Sequence, residues 1–200
     1  MKNTHGTRIE KAWLDLIIEL NNETVKHSTS VSTLCVLLAR KCNLEDSEIY
    51  IIKGMALLHD VGKILLPSTI LDKSGSLTID EYKTVKQHPT LGKNLLQKYN
   101  MFTDYELSLI EDHHERINGS GYPNSKTDKD ISIGAGIVAI IDVFDALSSK
   151  RSYKDQWSQA QIKSYFLNKE RDSEFKELPL RKLRENFDAL FESVSKQISI

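Results

Sequence analysis

The run IEKAWLDLIIEL at residues 9–20 places Ile9, Trp13, Leu16, Ile17 and Leu20 at the three- and four-residue intervals of one helical face. Residues 24–42 and 47–59 repeat that spacing, and no segment shows a convincing apolar/polar alternation of a half-buried strand. Helix packed on helix is the architecture this leaves, so the chain is expected to be all-α. Three capping boxes mark later helix starts. Thr78 with Glu81, Thr103 with Glu106 and Ser158 with Gln161 each set a hydroxyl three residues before a Glu or Gln, which satisfies the orphan amides of a first turn. One run, IGAGIVAIIDVFDAL at 133–147, passes for a strand; its length and the Asp142/Asp145 spacing predict a buried helix with one polar edge instead.

A chain of 200 residues, 40% hydrophobic, is long enough for one sizeable core, and one globular domain is expected. With 27 Lys+Arg against 28 Asp+Glu the net charge is −1, so there is no general basic field for polymeric nucleic acid or an anionic membrane. An anionic ligand must therefore meet a local cluster. Cys35 and Cys42, seven apart in an apolar helical pattern, read as buried free thiols and not as a bridge. No apolar run approaches a membrane span and the polar start MKNTHGTRIEKAW has no signal-peptide core, so a cytoplasmic protein is expected. Gly62, Pro67, Gly75, Pro89, Gly119–Pro123 and Pro179 punctuate the connectors. The charge-mixed segment KERDSEFKELPLRKLREN reads as a solvated face plus a helix and carries no assigned chemistry.

The histidines stand at 5, 27, 59, 88, 113 and 114. A single histidine on an apolar helix is more often a hydrogen-bonded core residue than a ligand, and His5 in the polar terminus is assigned nothing; the joint pattern is harder to dismiss. His59-Asp60 ends the apolar stretch MALLHDVGK, where Gly62 is expected to break the helix and turn side chains toward one cavity. His113 and His114, about 100° apart on a helix, would diverge from one ion but reach two adjacent ones. Glu23 and His27, four apart, share a face, and Asp142 offers a further carboxylate. Imidazoles and carboxylates without thiolate favour iron, manganese, zinc or a similar divalent metal over a structural zinc site. Two metals roughly 3.5–4 Å apart clamp attacking and leaving oxygens in displacement at phosphorus, so phosphoester hydrolysis is the chemistry expected.

His59-Asp60-Val61-Gly62-Lys63, QHP at 87–89, HHERINGSGYP at 113–123 and DVFDALSSKRSYK at 142–154 closely resemble, in order and spacing, the HD-GYP subgroup of the HD phosphohydrolases. The resemblance covers roughly residues 23–155. It implies an all-α domain at 23–200, ending in a helical segment, behind a helical extension at 1–22. It also implies hydrolysis of cyclic di-GMP to linear pGpG and/or GMP at two or three divalent ions, iron or manganese. By position, His27, His59, Asp60, His88, His113, His114 and Asp142 resemble metal ligands, Asp60 a bridging one, and Glu23 the extra carboxylate of a third metal. Lys63 matches a lysine directed at the scissile phosphate, so Asp60 and Lys63 are the catalytic candidates. Gly121, Tyr122, Asp145, Arg151 and Lys154 match substrate-contacting positions, supplying an aromatic face and the local cations. Glu115 and Arg116 are expected to pair across the turn.

Ser30, Asn118, Gly136 and Ser152 stand where the family pattern often has Arg, Asp, Arg and Pro. None removes a metal ligand, and the lost charge at 30 and 136 bears on which dinucleotide is preferred, with cyclic GMP-AMP as the alternative. A dinucleotide sensor with little turnover is the other functional class. Regulation is expected from a partner protein, expression or a homodimer.

Overall fold

Thirteen of the sixteen residues of helix α8 (Ile133–Ser148) are buried, so it is wrapped by protein and is no surface strand. The computed structural model describes residues 4–149 and 157–198. Around α8 pack α2 (Asn22–Lys41), α3 (Asp46–Leu58), α7 (Asp104–Glu111), α9 (Gln159–Leu167), α10 (Glu177–Glu185) and α11 (Phe187–Ile198). One apolar core results, with Leu34, Leu38, Ile52, Met55, Ile110, Ile141, Phe144, Phe166, Leu183 and Phe187 buried together. Helix α1 (Thr4–Ile17) lies on α3, and α4 (Ser68–Leu71), α5 (Ile79–Val85) and α6 (His88–Gln97) lie between α3 and α7 in sequence. Short 3-10 helices span Val61–Leu65, Asp128–Asp130 and Lys169–Ser173. Among the described residues there is no strand, only an isolated pairing of Asn118 with Thr127. No described helix is long and apolar enough to cross a membrane.

All three predicted capping boxes form, with both reciprocal hydrogen bonds present at the starts of α5, α7 and α9. Each such cap is worth about 1 kcal/mol. Cys35 and Cys42 are buried free thiols. Two punctuation residues fall differently from expectation. Pro89 and Pro179 lie inside the first turns of α6 and α10, where the missing N–H removes no helical bond. The C-terminal segment also does more than face solvent: Phe175, Leu180 and Leu183 close the core.

Gly62 matters for a reason other than a helix break. A Cβ there would stand 2.0 Å from the carbonyl oxygen of His88 and 2.5 Å from the amide of Gly92. Backbone therefore touches backbone, and this contact brings the end of α3 against the start of α6. Gly62→Ala must push the two apart, and overpacking of this kind costs about 1–3 kcal/mol. The expected outcome is a Tm lowered by roughly 2–12 °C; an unchanged thermal melt would show that α6 is free to shift.

Candidate metal centre

Helices α3, α5 and α7 end close together, and every helix leaves its last carbonyls without backbone partners. His59, His88 and His113 each take one. Their Nδ1 atoms donate to the carbonyl oxygens of Ala56 at 2.7 Å, Val85 at 2.8 Å and Ile110 at 2.6 Å, in every case three residues upstream. A carbonyl only accepts, so each Nδ1 carries a proton and each ring turns its Nε2 inward; burial keeps the rings of His59 and His113 neutral. The buried Nε2 of His59 has no hydrogen-bond partner. Those of His88 and His113 face each other at 3.1 Å, a spacing that two nitrogens ligating one cation would have. Burial, reinforced by the neighbouring His114, His59 and His88, holds His113 well below the usual imidazole range.

His27 lies inside α2, where the helix uses its own carbonyls, and it is held by carboxylates instead. Its Nδ1 lies 2.6 Å from Asp145 Oδ2 and its Nε2 lies 3.0 Å from Asp142 Oδ1. Burial opposes charge on this ring, but the two hydrogen-bonded carboxylates outweigh it and raise His27 to about 9. Burial likewise opposes the two central carboxylates and is overcome. The Lys63 ammonium keeps Asp60 well below the usual range, and the hydrogen bond from His27 does the same for Asp142.

These carboxylates join two groups of histidines. Asp60 points Oδ2 at His59 and His27, 3.5 and 3.8 Å from their Nε2 atoms, and Oδ1 at His88, 3.2 Å away. Asp142 points Oδ1 at His27 and His59 and Oδ2 at His114, 3.7 Å from its Nδ1. Ligand atoms of His27, His59 and Asp142 lie within 4.8 Å of one another, as do those of His88, His113 and His114, and those of His59, Asp60 and His113. Orphaned buried nitrogens, anionic oxygens between them and no thiolate form a donor set that fits divalent cations of the borderline-to-hard kind.

The expected divergence of His113 and His114 does not occur. α7 ends at Glu111, so both rings lie in the turn that follows, 4.1 Å apart between centroids, and they converge with His88 on one position. The turn itself is clamped. Buried Asp112 accepts two bonds from the Lys126 ammonium, at 2.7 and 2.8 Å. Glu115 accepts the amides of Asn124 and Lys126 at 2.6 and 3.0 Å. Glu115 does not pair with Arg116, whose guanidinium donates to the Glu115 carbonyl and covers the Phe175 ring. A Cβ on Gly121 would stand 2.4 Å from the Arg116 amide, so only glycine lets the loop fold back this tightly. Tyr122 is thereby laid on His114, ring centroids 4.7 Å apart.

Lys63 Nζ lies 2.6 Å from Asp60 Oδ2 and lines a cleft of about 330 Å³ together with Glu23, His27, Asn21, Thr24, Ile70, Leu71, Lys73, Leu77 and Val85. Segment 70–77 reads in the sequence only as a connector marked by Gly75, and nothing local in it signals a wall. Lys86, also unremarked in the sequence, covers the Tyr122 ring at 4.8 Å. Asp145 is not at the cleft surface, contrary to its expected substrate contact: it is buried behind His27, with its other oxygen on Ser30. Arg151 and Lys154 lie outside the described residues.

Burial holds His59, His113 and His114 below the unfolded-chain value, His114 down to about 3. The unfolded chain takes up these protons below about 6.5 and the folded one does not, so stability falls with pH in that window. Raised His27 acts oppositely, its contribution being lost between about 6.5 and 9. The metal-free protein is expected to melt at a lower temperature at pH 5 than at pH 7; an equal or higher Tm at pH 5 would contradict neutral rings.

Residues 13–173 match the family model described as HD domain. The chain is 40% identical over 144 residues to the 3′3′-cGAMP-specific phosphodiesterase 2 of Vibrio cholerae serotype O1, covering 72% of this chain and 28% of that protein. It is 41% identical over 136 residues to the cyclic di-GMP phosphodiesterase response regulator RpfG of Xanthomonas campestris pv. campestris, covering 68% and 36%. The chain thus spans about a third of the length of these curated relatives. Among solved structures, Bd1817, a HDG"Y"P protein from Bdellovibrio bacteriovorus, superposes with a TM-score of 0.68 at 23% identity over 86% of this chain and 56% of that one. The L. monocytogenes phosphodiesterase PgpH HD domain in complex with cyclic-di-AMP gives 0.65 at 16% identity over 95% and 96%. These two likenesses bear on the all-α fold. Because the family match takes in every residue of the histidine and aspartate centre, and the centre is built on the HD and GYP motifs, the chain belongs to the HD-domain family.

Proposed function

We propose that the chain is a phosphodiesterase that opens cyclic di-GMP to linear pGpG, with GMP as a further product, using two or three divalent ions of iron or manganese. The observation that carries this reading is the pair of histidine groups joined by Asp60 and Asp142 beside a cleft that holds Lys63. When bound, the ions supply positive charge for an in-line displacement at phosphorus. His27 and His59 would hold one and His88, His113 and His114 the other, with Asp60 and Asp142 lying between the two groups. Water oxygen bonds to phosphorus as the bond to the ribose 3′ oxygen breaks, and that oxygen leaves with a proton. Lys63 stands where an ammonium stabilises the charge on phosphate or delivers that proton.

Glu23, one turn before His27 and on the same cleft, is proposed to serve a third ion. Gly121 and Tyr122 would form one wall for the dinucleotide, and Arg151 and Lys154 would hold its phosphates or base edges. The substrate is a cytoplasmic messenger in this reading, and control comes from a regulatory partner or a second copy of the chain. The 40% identity to a 3′3′-cGAMP-specific phosphodiesterase favours a second reading, preference for cyclic GMP-AMP, which fits the missing charge at Ser30 and Gly136.

The test is hydrolysis of both cyclic dinucleotides by anaerobically purified protein loaded separately with Fe(II) and Mn(II). Turnover of one or both is expected; binding without turnover would make the chain a sensor. Asp60→Asn is expected to lose metal and turnover together, and full activity in that variant would overturn the mechanism. For Lys63→Ala a fall in kcat of about 10²–10³-fold with metal content unchanged is expected. Loss of metal instead would assign Lys63 to holding Asp60.

A further inference from the structure

His59, His88 and His113 are oriented by backbone carbonyls, but His27 has none at hand, because the interior carbonyls of α2 are engaged in the helix. Its Nδ1 is fixed by Asp145 Oδ2 at 2.6 Å, and the second oxygen of Asp145 accepts the Ser30 hydroxyl at 2.5 Å. Ser30 follows His27 by three residues, so hydroxyl and imidazole lie on one face of α2. Asp145, three residues beyond Asp142 on α8, is 1% exposed. One buried carboxylate of α8 is thus gripped at both oxygens by α2, with His27 Nε2 turned toward Asp142.

We infer that Ser30 is a positioning residue of the centre. Through Asp145 it fixes the ring plane of His27, so that Nε2 is aimed at the position it shares with His59 and Asp142. The inference rests on the two-cation reading above. Without the hydroxyl, Asp145 keeps only one of its two anchors, and the carboxylate and the imidazole are free to turn together. A carboxylate behind a ligating histidine is worth about 10–100-fold in metal affinity, and Ser30 governs that carboxylate.

The test is Mn(II) titration of the metal-free full chain, with free Mn(II) read by electron paramagnetic resonance and the melt of each metal-free variant recorded. Ser30→Ala is expected to weaken one of two binding steps by about 10-fold, leave the other and the metal-free Tm unchanged, and be rescued by Ser30→Thr. Asp145→Asn, which preserves shape, is expected to weaken the same step. Wild-type affinity at both steps in Ser30→Ala would overturn the inference and leave the two-cation reading standing. Equal weakening of both steps without rescue by threonine would reduce Ser30 to a general structural role and also overturn it. A wild-type chain that binds no Mn(II) would remove the two-cation reading and this inference with it.

Discussion

The centre depends on one repeated hydrogen bond, from a histidine Nδ1–H to a carbonyl in the last turn of a helix. A helix end is obliged to find partners for those carbonyls. By supplying an imidazole three residues on, the chain satisfies the backbone, fixes the tautomer and aims Nε2 inward in one step. Because α3, α5 and α7 end side by side, three such nitrogens meet in a buried space with no donor to answer them. The unpartnered Nε2 of His59 and the 3.1 Å approach of His88 to His113 leave nitrogens crowded in a space that suits a divalent cation.

Around this the rest of the fold keeps positions fixed. The contact at Gly62 seats the end of α3 against α6 and so sets His59 and Asp60 beside His88. Lys126 and Glu115 tie the loop after α7 to itself, so that Tyr122 packs on His114 and closes one side of the centre. Buried α8 brings Asp142 to the centre and Asp145 behind it, on one polar edge of an otherwise apolar helix. Near-neutral net charge is compatible with the proposed anionic substrate because the positive groups would be local: Lys63 on the cleft, and the cations for which the histidines supply donors.

Much of this was legible in the sequence, for physical reasons that can be named. Helical periodicity and capping boxes are local, and α2, α3, α5, α7, α8 and α9 begin within two residues of where those signals put them. The HD and HHE motifs located the donors. Their convergence was less legible: a 100° helical step at His113 and His114 assumes a helix that has already ended at Glu111. Asp145 was read as facing substrate because nothing in the sequence shows that a residue 118 positions away requires it. The cleft wall at 70–77 was likewise hidden, since a connector becomes a wall only through what it packs against.

Two cation positions are proposed, with Asp60 and Asp142 lying between them. Anomalous diffraction at the manganese edge, from crystals of the protein grown anaerobically with Mn(II), tests this directly. The account predicts two peaks, one among His27, His59 and Asp142 and the other among His88, His113 and His114. A single peak, or no peak at one of the two histidine groups, would contradict it.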